Sequence, residues 1–236
     1  MDQIYLVLMR KKVAIFDIDG TIFRSSLLIE LVKALIDRKI FPDNTSLEYG
    51  REYLAWLDRK GSYTDYITAV VNVFVKYIKG VKEDDLTSAA ALVVTQQENH
   101  VYKYTRDLVK KLKDADYYLL AISHSPKLIV DGFAKSLGFD KVYGIMYEVN
   151  DSKKFTGKIL DEELILSKDK ILDRAVEKEN LTLKDSVGVG DTSTDIIFLE
   201  KVTTPICFNP SSGLYKHAKD NAWKVVVERK DVIYEL

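Results

Sequence analysis

Phe16-Asp17-Ile18-Asp19-Gly20-Thr21 follows directly on the apolar run Val13-Ala14-Ile15. A short apolar run bounded by lysines on one side and glycine on the other reads as a buried strand ending in a loop. Two aspartates at i and i+2 stand at its carboxyl end, the edge at which open α/β sheets bind ligands. Acidic side chains there repel one another and gain nothing from burial. They persist where something cationic, such as a metal, holds them. A lone acidic strand end also has a plain structural reading, so the motif needs partners further along.

The partners follow in order. Tyr118–Ile122 is a second apolar run, and it ends in Ser123-His124-Ser125-Pro126. A helical stretch begins near Ser167, with Lys168 and Lys170 at its start, and Ser186–Gly190 leads into Asp191-Thr192-Ser193-Thr194-Asp195. The chain alternates strands and helices, as a parallel, doubly wound sheet does. Strands are expected at 13–17, 117–122, about 141–147, 186–189, 203–207 and 223–227. Crossover helices are expected at about 101–114, 126–137, 167–180, 193–201 and 212–220.

The stretch between the first two strands far exceeds the dozen or so residues of an ordinary crossover. Within it 27–39, 47–59, 63–78 and 83–99 read as amphipathic helices, punctuated by Asp43-Asn44, Gly61-Ser62 and Gly80. This places a helical insertion immediately after the acidic loop. The domain division is therefore an α/β core at 1–24 and 101–236 with a helical domain at 25–100.

A hydrophobic share of 47% and a charged share of 30% belong to a soluble globular chain. A net charge of −1 without a basic block gives no reason to expect nucleic acid. No stretch is long enough to span a membrane. The single cysteine, Cys207, cannot form an internal disulfide and suits a reducing cytoplasm. Histidines at 100, 124 and 217 are too scattered for a zinc site. Residues 1–8 are read as a short extra strand or as an artefact of start assignment.

Together, D-x-D-G-T at Asp17–Thr21, the run ending in Ser123, a lysine near 168 and G-D-x-x-x-D at Gly190–Asp195 resemble the four motifs of the haloacid dehalogenase-like hydrolase superfamily. The resemblance spans roughly residues 11–227. Leu137-Gly138-Phe139-Asp140 with Phe155-Thr156-Gly157 resembles its phosphoserine-phosphatase-like branch, as does Phe208-Asn209-Pro210; the two segments also read structurally, as a hairpin turn and a strand–helix junction. The resemblance implies a Mg²⁺-dependent phosphatase acting on a small phosphorylated metabolite, with the insertion as a cap that selects substrate. A phosphotransferase using the same first step, and a true phosphoserine phosphatase, are the alternatives.

The implied roles suit the residues. Asp17 is the expected nucleophile, forming an aspartyl-phosphate that splits one hard displacement into two. Asp19 is the expected general acid and base. Gly20 permits the sharp departure from the strand and belongs to the phosphate cradle, and Thr21 braces the loop. Oxygen ligation by the Asp17 and Asp191 carboxylates and the Asp19 carbonyl suits Mg²⁺, with Gly190 allowing close backbone approach and Asp195 in support. Ser123 is expected to donate to a phosphate oxygen, with His124 beside it on the phosphate pocket but without a catalytic part. Lys168 is expected to neutralise charge at the phosphoryl group, and Lys170 is its rival. In phosphoserine phosphatases a glutamate lies nine residues after the nucleophile and an arginine lies on a cap helix. Here those places carry Ser26 and Thr68-Ala69-Val70-Val71, so phosphoserine is not the expected substrate, and Arg24 is the nearby cation for an extra anionic group.

Overall fold

The computed structural model describes residues 10–236; the reading made for residues 1–8 lies outside them. The chain begins with strand β1 (Lys11–Phe16) and then runs through helices α1 (Leu27–Asp37), α2 (Leu47–Leu57), α3 (Tyr63–Ile78) and α4 (Glu83–Gln97). It continues through α5 (Lys103–Asp114), β2 (Tyr118–Pro126), α6 (Lys127–Ser136), β3 (Lys141–Ile145) and a hairpin of β4 (Tyr147–Val149) and β5 (Phe155–Ile159). The remainder is α7 (Glu162–Ile165), α8 (Lys168–Lys178), β6 (Leu181–Gly190), α9 (Ile196–Leu199), β7 (Thr204–Phe208), α10 (Ser212–Asp220), β8 (Lys224–Arg229) and β9 (Val232–Glu235).

The main sheet has seven strands in the order β3-β2-β1-β6-β7-β8-β9. Its pairs are parallel except for β8 with β9. Period-two alternation explains why β1 can be apolar throughout. Ala14 and Phe16 face one core with α1, α4, α5 and α6, while Val13 and Ile15 face the other with α8, α9 and α10; all four are fully buried. The sheet winds outward in both directions from the β1–β6 pair, so the crevice of the switch point opens beyond Phe16 and Gly190.

The helical insertion leaves and returns at one place. The Arg24 N–H donates to the His100 carbonyl at 2.9 Å, and the Tyr102 N–H to the Ile22 carbonyl at 2.9 Å. Its helices differ in how they are held. α1 buries six side chains and α4 buries Leu86, Ala89, Ala90 and Val93 in the sheet's core, whereas α2 buries only Tyr49. α3 starts with a capping box in which the Ser62 Oγ accepts from the Asp65 N–H and the Asp65 carboxylate accepts from the Ser62 N–H. The hairpin braces its far end. The Gly80 N–H donates to the Phe155 carbonyl, the Phe155 N–H donates back to Val81, and Tyr147 meets Phe74 edge-on.

Three local expectations differ, and one strand was not expected. The helix expected at 193–201 is a 3-10 turn at Ser193–Asp195 followed by the single turn of α9. The Asp195 carboxylate folds back to accept from the N–H groups of Asp191 and Thr192, tightening the first turn. The strand expected at 186–189 begins at Leu181 and carries an irregularity where its partners pass from Lys12 to Ala14. The strand expected at about 141–147 breaks after Ile145, and Tyr147 opens the hairpin. The edge strand β9, whose side chains are all exposed, was not among the expected strands.

Candidate active site

Backbone register brings the acids together. Phe16 pairs with Val189, and the Asp17 N–H donates to the Val189 carbonyl at 2.9 Å, so Asp17 and Asp191 emerge side by side from β1 and β6. On the other flank Phe16 pairs with Ala121, which sets Ser123 and Ser125 of β2 beside the loop carrying Asp19. Lys168, the first residue of α8, reaches in from the opposite layer. Its Nζ donates to the Asp17 Oδ1 at 2.6 Å and to the Asp195 Oδ1 at 2.5 Å. It is buried, whereas Lys170 is exposed. The two lysines that the sequence left open thus differ in burial and in contacts.

Each predicted residue has a definite place. Gly20 has a φ of +79°, and a Cβ there would lie 2.2 Å from the Asp191 Oδ2, so a side chain would collide with that carboxylate. A Cβ on Gly190 would come within 2.6 Å of the Asp195 Cβ. The Thr21 Oγ1 reaches the Asp191 Oδ1 at 3.4 Å, and its carbonyl accepts from the Thr105 hydroxyl. Asp195 has both oxygens engaged, one by Lys168 and the other by backbone N–H groups. His124 lines the same chamber as Asp17, with a buried Nε2 that has no partner.

Ser123 differs from its expected engagement. Its hydroxyl donates to the Asp19 Oδ2 at 2.6 Å and accepts from the Ser125 N–H at 2.9 Å. Ser125, which sequence reasoning left without a role, also donates to the Asp19 carboxylate, at 2.9 Å to Oδ2 and 3.0 Å to Oδ1. The available signal was the strand period, which puts Ser123 and Ser125 on one face. The Asp19 Oδ1 further accepts from the Leu27 N–H at 2.6 Å, tying this carboxylate to the amino end of α1. Tyr63, at the start of α3, was also missed; it lines the chamber with Asp17, Asp19, Lys168 and Asp191.

The electrostatics follow from burial. Loss of hydration pushes the Asp17 carboxyl up to about 7; the Lys168 ammonium opposes this, and Asp195 and Asp19 add to it. Burial, then the charges of Asp17 and Asp195, hold Asp191 well above the usual carboxylate range. Burial by itself favours neutral Lys168, but Asp17 and Asp195 reverse this and keep it protonated above the usual lysine range. Burial and the Lys168 charge push the His124 imidazole down to about 4, so it is neutral at physiological pH.

The donors fit a hard divalent cation. Ligand atoms of Asp17, Asp191 and Asp195 lie within 4.8 Å of one another, and the Asp17 Oδ2 is buried with no hydrogen-bond partner. Since Asp195 is spent on Lys168 and the backbone, Asp17 and Asp191 are the carboxylates free to ligate. A pH signature follows. Asp17 ionises at about 7 in the metal-free fold and near 3.8 in the unfolded chain. Between those values the native state binds the extra proton, so metal-free stability falls as pH rises through the window. The rise in Tm on adding Mg²⁺ is therefore expected to be larger at pH 8 than at pH 5 by calorimetry. Equal increments at both pH values would contradict this account.

The family model for haloacid dehalogenase-like hydrolases matches residues 14–200. A phosphoserine phosphatase of Archaeoglobus fulgidus is 22% identical over 207 residues, covering 86% of this chain and 54% of that protein. The chain spans about half the length of the curated relatives it matches. Among solved structures, a protein of unknown function from Bordetella pertussis Tohama I superimposes with a TM-score of 0.69 at 18% identity, covering 92% of this chain and 98% of its own. A phosphoserine phosphatase in apo form gives 0.62 at 21% identity, with coverage of 94% and 96%. No described helix is long and apolar enough to cross a membrane. The family match, running from β1 through the turn that carries Asp191 and Asp195, places this chain among the haloacid dehalogenase-like hydrolases.

Proposed function

We propose that the protein is a Mg²⁺-dependent phosphatase that hydrolyses a small phosphomonoester through an aspartyl-phosphate on Asp17. One observation carries the reading. The buried Asp17 carboxylate has one oxygen held by the Lys168 ammonium and the other without a partner, on the wall of a chamber of about 290 Å³. A phosphomonoester resists attack because its oxygens repel the nucleophile, so neutralised charge and fixed aim are what the site must supply. Mg²⁺ held by Asp17, Asp191 and the Asp19 carbonyl would supply the remaining positive charge. Asp17 attacks phosphorus while Lys168 steadies the oxygens. Asp19 protonates the leaving oxygen as its bond to phosphorus breaks, then takes a proton from the water whose attack on phosphorus releases phosphate and restores the Asp17 carboxylate. The two serine partners of Asp19 suit this shuttle, because a hydroxyl can turn from donor to acceptor as the carboxyl gains a proton. Gly20 and His124 are proposed as phosphate-pocket residues, and Ser123 becomes one on turning from Asp19 toward the bound phosphate.

Residues 25–100 are proposed as a cap over this site, since α3 forms a chamber wall with Tyr63, Ile67 and Val71. A cytoplasmic location is proposed from the one free, buried cysteine. The test is hydrolysis of an aryl phosphate. Activity is expected to vanish in chelator and to return with Mg²⁺ but not Ca²⁺, whose larger shell favours bidentate carboxylates that would take the attacking oxygen. Stoichiometric release of inorganic phosphate separates hydrolysis from transfer to another acceptor. Full activity in chelator would remove the metal from the mechanism.

Phosphoserine is expected to be a poor substrate. Ser26, Thr68 and Val71 line the chamber where an acid and a base would be needed for its ammonium and carboxylate. Buried charged groups left unpaired are strongly disfavoured. Its kcat/KM is expected to be at least ~10-fold below that of the best substrate in a broad panel. Phosphoserine ranking first would overturn the assignment of these cap positions.

A further inference from the structure

A second, larger chamber of about 580 Å³ adjoins the one that holds Asp17; the two share Tyr63, Asp191 and Thr192 as lining. The inner chamber, at about 290 Å³, carries the reacting groups and sits at the lower edge of the range of ordinary ligand sites. The outer one falls within that range, and its walls differ in kind. Tyr53, Trp56, Tyr63, Tyr66 and Tyr102 supply aromatic surface. Trp56 and Tyr66 stack at 17° with ring centroids 5.6 Å apart, which fixes the Trp56 plane, and Tyr63 meets Trp56 edge-on.

The charge is equally one-sided. Arg24, Lys33 and Arg59 line the outer chamber, and the one acid there, Asp191, is spoken for by the metal reading. Lys33 pairs with Glu30 at 3.0 Å, but neither arginine forms an ion pair among the described residues. The Arg24 guanidinium instead lies 5.6 Å over the Tyr102 ring, a contact that orients it without neutralising it. Ser211 adds a buried hydroxyl that has no hydrogen-bond partner. These groups come from separate places: the loop after β1, the turn between α2 and α3, and the loop before α10. A local packing accident does not account for their convergence.

We propose that the substrate is a phosphomonoester whose leaving group is a flat ring carrying a second anionic group. The ring lies among the aromatic walls beyond Tyr63, and the second anion is held by Arg24 and Arg59. This rests on the phosphatase reading and names the substrate class for that site. Guanidinium groups bind carboxylate or phosphate in a planar fork, and a flat ring fills an aromatic slot at little entropic cost.

The probes are 4-carboxyphenyl phosphate, phenyl phosphate and phosphoglycolate, assayed with Mg²⁺ on the full chain. The kcat/KM of the carboxylated aryl ester is expected to exceed that of phenyl phosphate by ~10-fold or more, and Arg24→Gln or Arg59→Gln to bring the ratio toward one. Using the change in ratio between proteins cancels the intrinsic reactivity of the two leaving groups and any general loss of activity. Trp56→Leu is expected to lower the ratio of the carboxylated aryl ester to phosphoglycolate, which has the same charges but no ring. Both arginines are exposed, so their variants are expected to fold. Ratios that stay unchanged in all three variants while phenyl phosphate turns over would overturn this inference and leave the phosphatase reading intact. Failure of every phosphomonoester with Mg²⁺ would overturn both.

Discussion

Replacing Asp17 by asparagine is expected to lower turnover by at least ~10³-fold, the scale of losing a primary catalytic group. The change keeps the shape of the side chain and removes the nucleophilic oxygen and its charge. The fold is expected to tolerate it. Burial already disfavours the ionised Asp17 in the absence of metal, raising it to about 7, so the neutral amide relieves a cost. Lys168 keeps Asp195 as its second partner. The metal-free variant is therefore expected to melt no lower than the parent, while the extra stability conferred by Mg²⁺ shrinks because a ligand is gone. Retention of more than a tenth of the activity would remove Asp17 as the nucleophile. A large drop in metal-free Tm would show instead that its bond to Lys168 is chiefly structural.

What the sequence disclosed, and what it hid, divides along a physical line. Asp17, Asp191 and Lys168 sit at the ends of elements whose apolar patterns announce them, and in a parallel sheet strand ends meet at one edge. Their convergence is legible in the sequence. The insertion was legible for the same reason, as four helical periods where one crossover was needed. Relations between side chains of distant elements were not. The hydrogen bonds from Ser123 and Ser125 to Asp19 depend on the register of β2 against β1, which no local pattern encodes. Tyr63 carries no motif and matters only because α3 is laid across the site. The shortened helix after Asp191 escaped because one carboxylate, Asp195, serves both the backbone of its own turn and a lysine from another layer.

That double duty of Asp195 makes the second large effect. Lys168→Ala is expected to reduce kcat/KM by ~10²-fold or more, and Lys170→Ala to leave it nearly unchanged. The Lys168 ammonium is the one buried cation among the described residues, and Asp17 and Asp195 share it. Without it three buried acids, Asp17, Asp191 and Asp195, face one another. Removing one partner of a buried ion pair typically costs about 3–5 kcal/mol, because a charge is stranded rather than merely unbonded. The acids are then expected to answer by taking up protons, which shifts the pH optimum of the remaining activity upward. Lys168→Met separates loss of charge from loss of volume, since it keeps an unbranched chain in the cavity. It is expected to match alanine in activity while recovering part of the lost stability. Activity near that of the parent in Lys168→Met would show that the ammonium is not needed at the phosphoryl group. A larger loss in Lys170→Ala than in either Lys168 variant would move the role two residues along α8, against the burial of one side chain and the exposure of the other.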